Sequence, residues 1–386
     1  MHYKFKGINE AFDTIIKDFD DRTIQLIATD TRNGPVLQAV EPVIVTYLNP
    51  LQRVLFNIAR DCNPFFHVAE ALWMLNGNNN VDYLTWFNSG ISKYSDDGKT
   101  LHGAYGHRWR EYFGYDQLDW IIEELTANPS SRRCVLQMWD GGRTEFVIDR
   151  NSKGHLLNTG TWEAIDGTGD LYTATHGGKD VPCNISAMFL VNNGKLDMTV
   201  CNRSNDAIWG MLGANVVHFS FLQEYMAAGI GVPVGFYHQI TNNLHVYLEK
   251  FEPAKWLSPI NERLAPAYYS DEWNNNQLIP LVYKRHRFDH QLAHFIDNAE
   301  GCPIRTDHTY EEPFLVHVAI PMFKAFARHK DRDYEAALKT CDRILSIDWR
   351  IASYNWISKR QQMWNDKVKN DTNTVTKEAG ETDVEN

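Results

Sequence analysis

Asn202-Arg-Ser-Asn-Asp-Ala-Ile-Trp-Gly210, twenty residues after the start of the pair Pro182-Cys183, is the stretch that decides the fold. It places a guanidinium, a hydroxyl and a carboxylate just beyond an apolar run and close in sequence to a thiol. The residues between them alternate as a hairpin would: Ile185 to Val191, the turn Asn192-Asn193-Gly194, then Leu196 to Val200. Asn-Gly between two such runs is a strong local hairpin signal. Pairing the two strands predicts that Cys183 and Arg203 meet at one end of a sheet. A cation beside a cysteine favours the thiolate, which is the nucleophile. Arg203 and Ser204 together would suit a phosphate group.

Composition bounds the rest. The chain has 386 residues, 43% of them hydrophobic and 12% aromatic, enough for a substantial core. No apolar run approaches the ~20 residues that span a bilayer, and no apolar stretch follows Met1-His-Tyr-Lys-Phe-Lys6. Neither a membrane span nor a secretory signal is therefore expected. A formal charge of −11 argues against a broad nucleic-acid-binding surface. The six cysteines, Cys62, Cys134, Cys183, Cys201, Cys302 and Cys341, contain no Cys-x-x-Cys pair. That pattern predicts reduced thiols and a cytoplasmic protein, not a disulfide framework or zinc cage.

Further segments extend the first one. Arg32-Asn-Gly34, His67-Val-Ala-Glu-Ala-Leu-Trp-Met-Leu75, Gly103-Ala-Tyr-Gly-His-Arg-Trp109, Ser131-Arg-Arg133 and His245-Val-Tyr247 flank Pro182-Cys183 and Arg203-Ser-Asn-Asp206 in a fixed order. Over roughly residues 20 to 255 the chain resembles the thymidylate synthase and pyrimidine (dUMP, dCMP) hydroxymethylase superfamily. The resemblance implies an α/β (α+β) fold, a mixed sheet with flanking helices that dimerises through its sheet face. It also implies a pyrimidine deoxynucleoside monophosphate substrate, 5,10-methylenetetrahydrofolate as co-substrate, and no metal.

The resemblance assigns roles residue by residue. Cys183 is the nucleophile that adds to C6 of the pyrimidine, and Glu70 and Tyr105 serve removal of the C5 proton. Arg32, Arg203 and Ser204 hold the phosphate with Arg132 and Arg133, which the family lends to the neighbouring subunit. His245 and Tyr247 hold the sugar hydroxyl, Asn215 reads the base, and Asp206 meets the folate pterin. Taken singly, most have a plainer reading: Cys183 a small core residue, Tyr105 a core aromatic, Ser131-Arg-Arg133 a solvated turn, Asp206 a salt-bridge partner. Glu70 differs, since a carboxylate on so apolar a helix is not simply solvated, and desolvation makes carboxyl groups proton relays. His67-x-x-Glu70 could also pair two metal ligands, but no further ligand stands at suitable spacing. His286, His290 and His294 recur every four residues and read as a solvated helix face.

Two departures matter. Asn184 follows the nucleophile where thymidylate synthases usually carry His. The interval from Gly210 to Asn215 is one residue longer than the family's. If the register slips, another residue meets the base. Asn215, unlike an aspartate, complements uracil rather than cytosine.

Helices are predicted over Pro64 to Leu75, Tyr115 to Leu125 and Asn215 to Ala228, and a strand over Arg133 to Trp139. The catalytic core is expected to span residues 1–255, with 140–181 a long polar insertion lacking a clear period. Residues 256–365 read as an α-helical C-terminal extension, with helices over His286 to Ile296, Pro321 to Arg328 and Tyr334 to Trp364. The polar residues 366–386 read as a disordered tail.

The product turns on what completes the reaction: hydride from the folate gives methyl, and water gives hydroxymethyl. Ile91, fourteen residues before Tyr105, replaces the synthase tryptophan, and Thr382-Asp-Val-Glu-Asn386 lacks the synthase's apolar closing tail. Asn205 and Leu244-His-Val-Tyr247 also resemble the hydroxymethylase wording. The expected activity is dUMP hydroxymethylase, in host cytoplasm if the source is viral. Thymidylate synthase, dCMP hydroxymethylase and a non-catalytic nucleotide- or RNA-binding relative are the alternatives.

Overall fold

The computed structural model describes residues 1–142, 144–150, 156–164, 169–258, 278–297 and 309–381. The chain forms two compact units, Met1–Arg53 with Ala69–Phe251, and Val54–Val68 with Glu252–Asn386.

The first unit opens with β1 (His2–Phe5), α1 (Ile8–Asp20), β2 (Leu26–Thr31), β3 (Gly34–Ala39) and β4 (Val43–Tyr47). Then come α2 (Pro64–Leu75), whose first residues belong to the second unit, α3 (Val81–Phe87), α4 (Tyr105–Arg110), α5 (Gln117–Ala127) and β5 (Val135–Gln137). An antiparallel pair comes next, β6 (Thr144–Arg150) and β7 (Leu156–Ala164), and then the short α6 (Asp170–Thr175). The hairpin strands are β8 (Asn184–Asn192) and β9 (Lys195–Asn202), succeeded by β10 (Asn205–Asp206), α7 (Asn215–Ile230), β11 (Val234–Thr241) and β12 (Leu244–Tyr247).

Six strands build the main sheet in the order β1-β4-β11-β9-β8-β5, mixing parallel and antiparallel pairs. A second sheet runs β10-β12-β3-β2. The predicted hairpin is present, with Asn193 at φ 49° and Gly194 at φ 71°, the left-handed pair that an Asn-Gly turn supplies. Along β8 and β9 the alternation sends Ala187, Phe189, Leu196, Met198 and Val200 into the core. Val135, Met188, Leu190 and Phe236 stand exposed on the main sheet.

Three expectations change. The insertion carries secondary structure: β6 and β7 pair from Thr144↔Ala164 to Arg150↔Leu156, with a register shift between Ile148 and Arg150. Thr144, Phe146, Val147 and Ile148 are strand formers, and the Gly-rich surroundings hid their pattern. The long C-terminal helix is two helices, α11 (Tyr334–Cys341) and α12 (Ile347–Glu381). Finally, α12 runs well past Trp364 into the stretch expected to be a disordered tail. Nucleation is the costly step in a helix, and propagation from an already packed segment is cheap. Residues 382–386 and Cys302 lie outside the described residues.

In the second unit α8 (Pro253–Trp256), α9 (Arg285–Asp297) and α10 (Ile320–Lys330) accompany α11 and α12. Phe65 packs on Phe326 and Trp356 at ring distances of 5.3 and 5.5 Å. His286 and His290 of α9 are exposed. Among the described residues no group of three metal-ligating side chains forms, and no helix is long and apolar enough to cross a membrane.

Candidate active site

The hairpin brings Cys183 and Arg203 together as their strands require. Arg203 N–H donates to the Cys183 carbonyl at 2.9 Å, and Nη2 lies 3.8 Å from Cys183 Sγ. The guanidinium is itself fixed: Nε donates to the Pro182 carbonyl at 2.7 Å and Nη2 to that of Val181 at 3.1 Å. Burial pushes the Cys183 thiol above its ordinary value; Arg203 pulls it down and Asp180 adds to the rise. The expected preference for thiolate is thus present as a local pull, but desolvation outweighs it.

Tyr105 enters from α4. Its hydroxyl accepts the N–H groups of Cys183 at 3.0 Å and Asn184 at 3.2 Å. Burial raises its phenol well above the usual range, so it stays protonated. A side chain at Gly106 would collide with the Met74 carbonyl, so only glycine lets α4 approach the end of α2 this closely.

Glu70, on α2, lies with Oε2 3.0 Å from Nε2 of His218, a buried imidazole on α7. His218 had no expected role. Its signal is its spacing: one turn after Asn215, among the apolar Val216, Val217, Phe219 and Phe221.

Asn215 opens α7 after a helical segment, Ala207–Ala214, that kinks at Leu212 and Gly213 and closes with a single π-turn, the Asn215 N–H reaching back five residues to the Gly210 carbonyl. A π-turn accommodates one more residue than an α-turn, so the extra residue between Gly210 and Asn215 is taken up locally. The Asn215 amide donates to Asn205 Oδ1 at 3.0 Å, and Asn205 donates in turn to Gln239 Oε1 at 3.4 Å. One amide N–H and the carbonyl of Asn215 remain for a ligand. Gly210 closes on this cluster, where any Cβ would strike Asn205 Oδ1.

Asp206 and His245 are register partners of β10 and β12. Asp206 Oδ1 caps the next helical segment by accepting from Ile208 and Trp209 N–H, both at 2.7 Å. His245 Nδ1 sits 3.0 Å from Asn243 Oδ1, and its ring meets Tyr247 edge-on at 5.3 Å. Burial lowers the imidazole's proton affinity, against the opposing pull of Asp206. Tyr247 Oη accepts from Asn33 at 3.5 Å, tying it to the Arg32 loop. Arg32 itself is exposed and donates to the Gly178 carbonyl at 3.1 Å. Ser204, half-buried, is the residue directly after Arg203.

Arg132 and Arg133 are the exception. Both are exposed, and Arg133 pairs at the surface with Glu124 at 3.0 Å. They precede β5, which pairs antiparallel to β8 with Val135 opposite Met188. Arg133 therefore lies toward the far end of β8 from Cys183, about 20 Å away at ~3.3 Å per strand residue.

The insertion is pinned beside α4. Asp170 is fully buried and receives Arg108 Nη1 at 2.7 Å and Nη2 at 2.8 Å, the Asp140 N–H at 2.7 Å, and lies 2.9 Å from His102 Nε2. Burial disfavours this carboxylate, yet the bonds from His102 and Arg108 outweigh it and hold its pKa below the usual value.

Known proteins share this sequence pattern over most of the chain. The family profile described as thymidylate synthase covers residues 59–268. A deoxyuridylate hydroxymethyltransferase of Pseudomonas phage M6 is 40% identical over 346 residues, 87% of this chain and 88% of that protein. A second protein of that name, from Bacillus phage SP01, is 35% identical over 59% of this chain and 57% of its own length. A putative thymidylate synthase of Methanothermobacter marburgensis is 29% identical over 61% of this chain and 91% of its own. With the profile covering more than half of its length and a relative aligned almost end to end, the chain belongs to the thymidylate synthase family.

Proposed function

We propose that this protein is a dUMP hydroxymethylase, converting dUMP to 5-hydroxymethyl-dUMP with 5,10-methylenetetrahydrofolate as co-substrate. The observation that carries the reading is the match to the M6 deoxyuridylate hydroxymethyltransferase, which covers 87% of this chain and so reaches beyond the family profile. The geometry supports it at the reacting atoms. Cys183, held against Arg203, adds to C6 of the ring and makes C5 nucleophilic. Because burial keeps the free thiol protonated, arrival of the substrate is the step that must favour its ionisation.

Tyr105, fixed by two backbone N–H groups, and Glu70, paired with His218, manage the proton that leaves C5. Arg203, Ser204 and Arg32 hold the phosphate, His245 and Tyr247 the sugar hydroxyl, and the free edge of the Asn215 amide the uracil. The folate supplies the one-carbon unit. The half-exposed indole of Trp209, on the turn that Asp206 caps, offers a flat face suited to such a heteroaromatic molecule.

The active form in this reading is a homodimer joined through the main sheet. Its exposed Val135, Met188, Leu190 and Phe236 form an apolar surface, and Arg132 and Arg133 lie too far along β8 to serve their own Cys183. Incubation with dUMP tritiated at C5 and methylenetetrahydrofolate tests the chemistry. Tritium release with formation of 5-hydroxymethyl-dUMP is expected; no release would mean no enzyme of this class.

A further inference from the structure

Behind the nucleophile three polar side chains stand in one row across the main sheet. Asn184 on β8 is the register partner of Asn202 on β9, which is the partner of Thr241 on β11. A bulge between Asn184 and Ser186 turns Asn184 onto the core-facing side, the face that carries Ala187, Val200 and Phe189. The three side chains are at most 2% exposed. Asn202 Nδ2 donates to Asn184 Oδ1 at 2.7 Å. Among the described residues, Asn184 Nδ2, Asn202 Oδ1 and Thr241 Oγ1 have no hydrogen-bond partner. Leaving such groups dry is costly. The next position along the row is Val43, so the polar stretch ends sharply.

One donor, one acceptor and one hydroxyl that can do either form the set that holds a buried water molecule. The row also joins the reacting groups. Asn184 shares the Tyr105 hydroxyl with Cys183. Thr241 lies two residues from Gln239, on the same face, and Gln239 ends the amide chain from Asn215 through Asn205. We infer that Asn184, Asn202 and Thr241 are positioning residues that hold the water consumed in hydroxymethylation, and so decide the product.

This rests on the hydroxymethylase reading. In the step it describes, the water oxygen bonds to the exocyclic methylene carbon on C5 while the methylene π electrons move into the ring. The C6–S bond then breaks, the C5=C6 double bond re-forms and Cys183 leaves as thiolate. The proton lost by the water passes to the Glu70–His218 pair.

The test uses the full-length protein with C5-tritiated dUMP, methylenetetrahydrofolate and added 2-mercaptoethanol, a thiol that traps the exocyclic methylene as a thioether. Tritium release reports every step up to that methylene, and the nucleotide product reports its capture by water or by thiol. Thr241→Val, nearly isosteric, and Asn184→Leu are expected to keep release within about threefold of wild type. Their hydroxymethyl product per tritium released should fall at least about tenfold, with the thioether rising to match. Thr241→Ser, which retains the hydroxyl, should keep the wild-type ratio. An unchanged ratio in both Thr241→Val and Asn184→Leu, or release and product falling in parallel, would overturn the inference. Tritium release by the wild type without any hydroxymethyl product would instead remove the reaction itself, and the inference with it.

Discussion

The two ends of β8 differ in what they offer. At the Asn184 end the chain turns inward: Cys183 is held by the Tyr105 hydroxyl and faces a guanidinium fixed by two carbonyls. At the other end, where β5 begins, Arg132 and Arg133 stand in solvent, and Arg133 is 80% exposed with one surface carboxylate beside it. Exposed pairs of that kind contribute little. In the proposed reading the first end holds the nucleophile, with the base-reading amide on the same chain, while the exposed Arg132 and Arg133 at the second end serve the phosphate of a neighbouring subunit.

The sharpest way to break this comparison is at the thiol. Cys183→Ala should remove at least about three decades of turnover, the scale of a lost covalent nucleophile, while dUMP binding measured by calorimetry survives. Near-normal turnover would exclude the covalent step. Next comes the far end: a double Arg132→Ala, Arg133→Ala variant should lose about a hundredfold in kcat/KM. Mixing it with Cys183→Ala protein should restore activity, because mixed dimers contain one intact site. If the arginines served their own chain, mixing would restore nothing.

A smaller effect is expected at the base. Asn215→Asp should shift the ratio of dUMP to dCMP turnover toward dCMP by about ten- to a hundredfold, the worth of one mispaired hydrogen bond at ~1–3 kcal/mol. An unchanged ratio would place another residue against the base. The smallest effect concerns protonation. Since burial raises the Cys183 thiol, its alkylation by iodoacetamide in the free enzyme should be slow at neutral pH. It should accelerate ~tenfold per unit as pH rises toward the thiol's value. Arg203→Ala, lacking the opposing pull, should be slower still; a rate independent of pH would show a thiolate already formed.

Legibility in the sequence tracks the periods of its elements. The β8–β9 hairpin and α2, α5 and α7 are visible because apolar spacing and Asn-Gly or Pro-Gly punctuation agree there. The meeting of Cys183 with Arg203 is a consequence of hairpin register alone. The Glu70 partner is not visible, because His218 is 148 residues away in the chain and only the packing of α7 beside α2 brings them together. The same is true of Asp170 in the insertion, whose partner Arg108 stands 62 residues earlier, on α4. A one-residue surplus before Asn215 is plain in the sequence, but its resolution as a π-turn depends on backbone hydrogen bonds that the residue types do not dictate. The thiol's net shift departs from expectation for a related reason: the neighbouring cation can be read from the sequence, whereas the depth of burial cannot.

Whether water or hydride completes the reaction is read by mass spectrometry of the nucleotide formed from dUMP and methylenetetrahydrofolate in water enriched in heavy oxygen. The expected product is 5-hydroxymethyl-dUMP carrying the heavy isotope in its new hydroxyl. Formation of dTMP, with no heavy oxygen incorporated, would contradict it.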